Sequence, residues 1–140
     1  MLNFVTTRLD HTAIASGDPA ALVDFYHRAL GLVIHAESAP LPPTGQKAYL
    51  IGPSVDGNGI RQGMMMEIMP KNDTPRHPRN SHEPGLSHVA FAVSNFDHAL
   101  AHLQATNVTF LGEIVTAIGG GRLISFADPE GNMMQIVERL

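Results

Sequence analysis

The sequence contains no cysteine, and this absence excludes disulfide bonds, thiolate metal sites and cysteine nucleophiles. Basic residues are also few: Lys+Arg number 9 and Asp+Glu number 13, a net charge of −4 that argues against a basic nucleic-acid-binding face. No apolar run approaches the ~20 residues of a membrane span, and the first residues lack the basic and apolar regions of a signal peptide. We therefore expect a cytoplasmic protein with neither a nucleic-acid partner nor a membrane partner.

The chain of 140 residues is 44% hydrophobic, which predicts one folded domain with a packed core. Its 8 histidines are many for this length, and histidine is the commonest metal ligand. Two of them, His11 and His88, lie in the matching heptapeptides LDHTAIA (residues 9–15) and LSHVAFA (residues 86–92). This self-similarity indicates that the chain consists of two related halves.

A helix is predicted after each heptapeptide. In the first half Asp18 suits the N-cap, Pro19 the first helical position and Gly31 the C-terminal end. In the second half Ser94 suits the N-cap of a helix whose apolar residues share one face. Each half therefore contains one amphipathic helix.

Short strand patterns complete each half, and turn-forming residues separate them. Strands are predicted at 32–35, 47–51, 64–69, 108–111, 122–126 and 133–137, with turns at 42–45, 56–59, 119–121 and 128–132. The fold class is thus α+β, with two βαβββ modules at about 8–70 and 86–140 and a linker at about 70–85. We expect a single domain over 1–140, because neither half is long enough to hold its own core.

Side-chain alternation in the strands indicates which residues line a shared concavity. His11 and His88 lie on the same strand faces as small alanines, opposite larger apolar residues that should pack under the helices. Glu67 lies in a methionine-rich strand, where burial without a partner would be costly, and Gln135 occupies the equivalent place in the second half. A pseudo-twofold relation would bring these four together. Two imidazoles and two side-chain oxygens suit one Zn²⁺, Ni²⁺, Co²⁺, Fe²⁺ or Mn²⁺ per chain.

Each of these residues also has a plainer interpretation that stays open. Either histidine can be an ordinary core or surface side chain, because most histidines in strands are. Glu67 can form an ion pair with a lysine or arginine, and Gln135 can be a sheet-face amide without a metal contact. His98 and His102 have the i,i+4 spacing of a zinc pair, although no third ligand is near them in the sequence.

Four further residues are candidate substrate contacts. Arg122 can meet a substrate carboxylate or phosphate. His82 can belong to a lid over an anionic substrate, with an exposed loop as the plainer interpretation. Met65 and Met133 share the strand faces of the candidate metal ligands and can form an adaptable pocket wall.

The chain resembles the vicinal oxygen chelate superfamily, which includes glyoxalase I, methylmalonyl-CoA epimerase, bleomycin-resistance and fosfomycin-resistance proteins, and extradiol dioxygenases. The motifs that carry the resemblance are LDHTAI (9–14), FY…LGL (25–32), GLSHVAF (85–91) and DPEGN (128–132). The resemblance runs from about residue 8 to the C-terminus. It implies two βαβββ modules that form one cupped, metal-bearing half-barrel site, usually in a homodimer, with metal positions at His11, Glu67, His88 and Gln135.

The resemblance also favours one kind of chemistry. Extradiol dioxygenases and fosfomycin-resistance proteins typically have a carboxylate at the position of Gln135. Glyoxalase I typically has a glutamate there too, so Gln135 is a departure from all three. A glutamine elsewhere among the four metal positions is, however, normal in glyoxalase I and methylmalonyl-CoA epimerase. This implies a metal-dependent lyase or isomerase, similar to lactoylglutathione lyase. It would act on a small α-oxygenated carbonyl compound or thioester through an enediolate, with Glu67 as the base.

Two alternatives remain. His11, His88 and Glu67 form the two-histidine, one-carboxylate set of a non-haem Fe(II) dioxygenase. A non-catalytic, small-molecule-binding resistance protein is the other alternative.

Overall fold

The computed structural model of the chain describes residues 2–54 and 63–140. Its contacts divide the chain into two compact units, Met1–Asp73 and Thr74–Leu140. Each unit contains a helix and a mixed sheet, which confirms the predicted α+β class. The predicted turn at 56–59 lies outside the described residues.

The first unit has a helix and four strands, in the order β1 (His11–Ser16), α1 (Pro19–Leu30), β2 (Val33–Glu37), β3 (Tyr49–Gly52) and β4 (Met65–Pro70). The sheet order is β1-β4-β3-β2. The opening strand β1 pairs in parallel with the closing strand β4, whereas β2, β3 and β4 pair antiparallel. The first and last strands of this unit are therefore neighbours.

Helix α1 begins and ends where the sequence predicts. The Asp18 carboxylate accepts a hydrogen bond from the Ala21 N–H at 3.1 Å, and Pro19 is the first helical residue. Gly31 ends the helix at φ +70°, a left-handed conformation that favours glycine. The apolar face of α1 packs on the sheet, and the core of this unit includes Leu22, Phe25, Tyr26, Ile51, Met66 and Ile68.

The second unit has a helix and five strands, in the order β5 (Val89–Ala92), α2 (Phe96–Ala105), β6 (Thr109–Phe110), β7 (Val115–Thr116), β8 (Arg122–Ala127) and β9 (Met133–Val137). The sheet order is β5-β9-β8-β6, and β7 also pairs with β8. Again the opening strand β5 pairs in parallel with the closing strand β9. The core includes Phe96, Leu103, Ile124, Phe126, Met134 and Ile136.

Two details of the second unit differ from the prediction. The N-cap of α2 is Asn95 and not Ser94: the Asn95 side chain accepts the His98 N–H at 3.0 Å. This places the cap three residues before the N–H that it binds, the usual spacing. The two-residue strand β7 was not predicted, because Val115 and Thr116 are both exposed and show no alternation of buried and exposed residues.

Residues 71–88 contain no helix or strand, yet one side chain organises part of this segment. The Arg79 guanidinium donates to the backbone carbonyls of Glu83, Pro84 and Leu86 at 3.1, 3.3 and 2.8 Å. These bonds fix the chain just ahead of β5. In the described part of the chain, neither helix has the length and apolar character needed to cross a membrane.

Candidate functional site

In the first unit, β1 and β4 place a histidine and a carboxylate on one sheet face. His11 pairs with Met65, and Ala13 pairs with Glu67. Paired residues of neighbouring strands share a face, and alternate residues along a strand share it too. His11 and Glu67 therefore lie on the same face, two residues apart along the strands. Strand spacing and rise put their α-carbons about 8 Å apart, close enough for both side chains to reach one ion.

In the described part of the first unit, this face is exposed along β1 and partly buried along β4. His11 and Ala13 are exposed, and Glu67 is half-buried. The opposite face packs under α1 through Met66 and Ile68, which are almost fully buried. The alternation predicted from the sequence is confirmed here.

The second unit repeats this register. Ala90 pairs with Gln135 in the parallel pair of β5 and β9, and His88 directly precedes β5. In the first unit, His11 lies two residues before Ala13, which pairs with Glu67. In the second unit, His88 lies two residues before Ala90, which pairs with Gln135. The two units thus present an imidazole with a carboxylate (Glu67) and an imidazole with an amide (Gln135) in the same arrangement.

Gln135 is buried, and a neighbouring strand orients its amide. Its Nε2 donates to the Ser125 hydroxyl at 3.1 Å, across the pair of β8 and β9. This leaves the amide carbonyl oxygen as the atom that can bind a ligand. A carbonyl oxygen is also the atom through which an amide ligates a divalent metal.

The ring nitrogen Nδ1 of each histidine contacts the side chain of the preceding residue. His11 Nδ1 lies 2.8 Å from Asp10 Oδ2, and His88 Nδ1 lies 2.8 Å from Ser87 Oγ. The other carboxylate oxygen of Asp10 accepts from the Arg8 guanidinium at 2.9 Å. The hydrogen bond with His11, and after it the bond with Arg8, lower the pKa of Asp10. Asp10 is therefore ionised at neutral pH.

The plainer interpretation of Glu67 requires an ion pair, and the described residues do not supply one. Within residues 2–54 and 63–140, no lysine, arginine or histidine pairs with its carboxylate. Half-buried among methionines, the carboxylate is a suitable oxygen ligand for a divalent cation.

The four predicted metal ligands form two pairs, one in each unit. No group of three or more histidine, aspartate or glutamate side chains is gathered as in a metal site among the residues that the structure describes. The four-residue set His11, Glu67, His88 and Gln135 therefore stays a prediction. His98 and His102 lie exposed on α2.

Arg122 is occupied by carboxylates of its own unit. Its Nε and one terminal nitrogen donate to both oxygens of Glu138 at 2.9 and 3.0 Å, and the other terminal nitrogen donates to Asp97 at 3.1 Å. The guanidinium also lies 4.7 Å from the centre of the Phe96 ring. The hydrogen bonds with Glu138 and Asp97 raise the pKa of Arg122, and Arg122 lowers the pKa of Glu138. A substrate anion would have to displace two carboxylates to bind Arg122, so Arg122 is outside the proposed site.

The three other candidate substrate contacts differ in exposure. Met65 is only 5% exposed, because it packs over Gly52, where an added Cβ would lie 3.2 Å from the Met65 Cγ. Met133 is half-buried beside the position of Gln135 on the same face. His82 is exposed in a turn, where its N–H donates to the Asn80 side chain at 2.9 Å.

Some residues that contact the candidate ligands could not be predicted from strand alternation. Asp10 contacts His11, and Arg8 donates to Asp10. Ser87 contacts His88, and Ser125 accepts from the Gln135 amide. One signal was available: in both heptapeptides the histidine follows a short side chain with an oxygen at its tip.

Comparison with known proteins places this architecture in a family. The chain matches the family model "Glyoxalase/Bleomycin resistance protein/Dioxygenase superfamily" over residues 8–136. The uncharacterized protein YaeR of Escherichia coli (strain K12) is 27% identical over 132 residues, covering 94% of this chain and 96% of YaeR.

Solved structures show the same fold at lower identity. Glyoxalase I of Leishmania major, which is trypanothione-dependent, is similar with a TM-score of 0.69 and 18% identity, over 95% of this chain and 87% of that one. The antibiotic-binding protein TnmS3 of Streptomyces sp. CB03234 is similar with a TM-score of 0.69 and 18% identity, over 99% and 100% of the chains. One of these two proteins is an enzyme and the other binds an antibiotic, so the likeness concerns the fold. The family match over nearly the whole chain shows that this protein belongs to the glyoxalase/bleomycin resistance protein/dioxygenase superfamily.

Proposed function

We propose that the protein is a metal-dependent lyase or isomerase of the glyoxalase type, acting on a small α-oxygenated carbonyl compound or thioester. The observation that carries the proposal is the repeated register, in which each unit has one histidine and one oxygen-bearing side chain on the same sheet face. Superfamily members commonly bind a divalent metal, and a non-catalytic binder has no need of this donor set.

The chemistry of these side chains fits a divalent cation. His11 and His88 each have Nδ1 engaged by a neighbouring side chain, so Nε2 is the ring atom that would bind the metal. Glu67 would supply a carboxylate oxygen and Gln135 its carbonyl oxygen. Two nitrogens and two oxygens suit Zn²⁺, Ni²⁺, Co²⁺, Fe²⁺ or Mn²⁺, and we propose one ion per chain.

A bound metal would act as a Lewis acid that polarises the substrate carbonyl. The chain itself must remove the proton from the neighbouring carbon and return it. Glu67 is the residue we propose for this, because it is the only carboxylate of the set and has two oxygens. Gln135 cannot accept a proton at neutral pH, so it would bind the metal or orient the substrate. Met65, Met133 and His82 are proposed substrate contacts.

Metal analysis of protein purified without oxygen tests this proposal. We expect about one Zn, Ni, Co or Mn ion per chain. His11→Ala and His88→Ala should each remove nearly all of it, because each would remove a nitrogen ligand of the proposed ion. His98→Ala is the matched control: this exposed histidine on α2 is outside the proposed set and should leave the metal content unchanged.

The same measurement separates the alternatives. Iron together with oxygen uptake would favour an Fe(II) dioxygenase that uses His11, His88 and Glu67. A metal-free protein that still binds small molecules would favour a resistance-type binding protein. Full metal content in both histidine variants would show that the proposed site is wrong.

A further inference from the structure

The residues before the two histidines differ in one chemical respect. Asp10 presents a carboxylate to His11, and Ser87 presents a hydroxyl to His88, each at 2.8 Å from Nδ1. We propose that Asp10 is a positioning residue that holds the proton of His11 on Nδ1 and so leaves the Nε2 lone pair free for a metal. Ser87 orients His88 without fixing its proton. This inference rests on the metal site proposed above, and its first test needs no metal.

The contact between Asp10 and His11 determines which ring nitrogen carries the proton. An ionised carboxylate only accepts hydrogen bonds, so the ring atom that contacts Asp10 must carry the proton. In a neutral imidazole the other nitrogen, Nε2, is then unprotonated. Metal-binding histidines commonly donate their second ring N–H to a carboxylate in this way, which fixes the ring orientation and strengthens the nitrogen as a ligand.

Arg8 extends this arrangement by one step. It donates to the Asp10 oxygen that does not contact His11, at 2.9 Å, so each oxygen of the carboxylate has its own partner. The three residues lie within four positions of the chain, at the start of β1, and form a short relay from guanidinium to carboxylate to imidazole. Arg8 therefore orients the carboxylate that orients the ring.

The hydroxyl of Ser87 acts differently, because a hydroxyl can donate or accept. It can accept a hydrogen bond from a protonated Nδ1, or donate one to an unprotonated Nδ1. The Ser87 contact therefore fixes the orientation of the His88 ring, while either ring nitrogen can carry the proton. The two histidines of the site would differ in tautomer even though they occupy the same register.

The roles can be exchanged by two substitutions, Asp10→Ser and Ser87→Asp. The Asp10 and Ser87 side chains lie at exposed positions ahead of the strands, and the strand bond made by the Asp10 carbonyl with the Met65 N–H (3.0 Å) is retained in any variant. The fold should therefore survive both changes.

The first test is the tautomer of His11 in metal-free, ¹⁵N-labelled protein. Long-range ¹H–¹⁵N spectra distinguish protonated from unprotonated ring nitrogens. We expect His11 to have its proton on Nδ1 in the parent and to become a mixture of tautomers in Asp10→Ser. We expect His88 to gain the Nδ1-protonated form in Ser87→Asp. A parent His11 protonated mainly on Nε2, or a spectrum unchanged in Asp10→Ser, would overturn the inference.

The second test is the affinity for Zn²⁺, measured by competition with a chromophoric chelator. Asp10→Ser should weaken binding about 10–100-fold, the usual effect of losing such a partner, and Arg8→Ala should weaken it less. Asp24→Ser is the control, because Asp24 is an exposed helix residue paired with Arg28 and should leave the affinity unchanged. Parental affinity in Asp10→Ser would overturn this inference alone. Absence of Zn²⁺ binding in the parent would instead overturn the proposed metal site.

Discussion

Glu67 and Gln135 occupy equivalent positions and have nearly the same shape, yet only the carboxylate can take a proton at neutral pH. Their partners along the opening strands, Ala13 and Ala90, are the same residue type. The difference between the two units at this position is therefore one of acid–base chemistry. This makes Glu67 the residue at which metal binding and proton transfer can be separated.

Glu67→Gln should keep most of the metal and lose most of the activity. The amide retains an oxygen ligand and the side-chain volume but cannot act as a base, so turnover should fall by roughly 10²–10⁴-fold. Elemental analysis and steady-state rates check both parts, on a substrate found in a panel of hemithioacetals and 2-substituted acyl-CoA thioesters. Parental turnover in this variant would show that another residue is the base.

The converse change, Gln135→Glu, is the matched control. It adds a second carboxylate in the equivalent register and should preserve the metal. In D₂O it should accelerate exchange of a substrate proton that the parent exchanges slowly.

For single residues, the strand face of each side chain could be predicted from the sequence more reliably than its hydrogen-bond partners. The faces of His11, Glu67 and Gln135 follow from a period of two, which a strand imposes on any sequence. The contact of Asp10 with His11 joins adjacent residues that alternation assigns to opposite faces, so it depends on side-chain rotation. The engagement of Arg122 likewise depends on Asp97 and Glu138, which are distant in the sequence.

Among the elements, the turn before β8 contains three successive glycines in the left-handed region, at φ +87°, +94° and +87°. Gly120 has no atom within 4 Å of the place where a Cβ would be, whereas a Cβ on Gly121 would overlap the carbonyl oxygen of Glu138. Both positions therefore require a left-handed backbone conformation, but only Gly120 has room for a Cβ.

Gly120→Ala should lower the free energy of unfolding by about 1–2 kcal/mol, the cost of a left-handed conformation for a residue with a Cβ. Gly121→Ala should cost about 1–3 kcal/mol more, because the backbone must move to relieve the overlap. That movement would disturb the Glu138 N–H···O=C Arg122 bond of 2.8 Å. Urea unfolding of both variants measures the difference, and equal stability would contradict the close approach seen at Gly121.

The ion pair between Arg122 and Glu138 joins β8 to the residue that follows β9, and it makes stability depend on pH. Arg122 lowers the pKa of Glu138 below the ordinary 4.5. A carboxyl whose pKa is lowered on folding stabilises the protein above its unfolded pKa, and this contribution is lost as the pH falls through the folded pKa.

Glu138→Gln should therefore lower the melting temperature at pH 7, with a difference that shrinks as the pH falls below 4.5. Once the pH is below the folded pKa of Glu138, the variant and the parent should melt together. Glu113→Gln, which changes an exposed carboxylate on a loop, serves as the control for the change in net charge. A constant difference across this pH range would show that the ion pair does not account for it.

The ends of helices and strands could be predicted from the local sequence at some positions and not at others. Asp18, Pro19 and Gly31 each have a backbone requirement that only a few residue types meet, so α1 could be predicted closely. Ser94 and Asn95 can both cap a helix, and the choice depends on which side chain lies three residues before a free N–H. The short strand β7 exists because β8 offers its backbone groups to Val115 and Thr116, which is a long-range cause.

On the scale of the whole molecule, we expect a homodimer. Leu9 and Leu86, each two residues before a histidine, are 75% and 74% exposed, and Ile118 is 96% exposed. Each sheet also has two edge strands within its own unit. Exposed apolar side chains and open strand edges are commonly covered by a symmetric partner.

Sedimentation equilibrium at micromolar concentration should give twice the chain mass of 15.1 kDa. Leu9→Asp and Leu86→Asp should weaken the association if these residues are covered, whereas Ala20→Asp, on the exposed side of α1, should not. A species of 15.1 kDa would exclude the dimer and leave the proposed metal site unaffected.

The parallel pairing of first and last strands has a kinetic consequence. His11 approaches Glu67, and His88 approaches the strand of Gln135, only when β1 meets β4 and β5 meets β9. These contacts join distant segments, so they carry a larger loop-closure cost than the adjacent hairpin of β8 and β9. We expect the hairpins to form early and the opening strands to dock last. A divalent ion would then find its ligands only after the rate-limiting step, and would slow unfolding without speeding refolding.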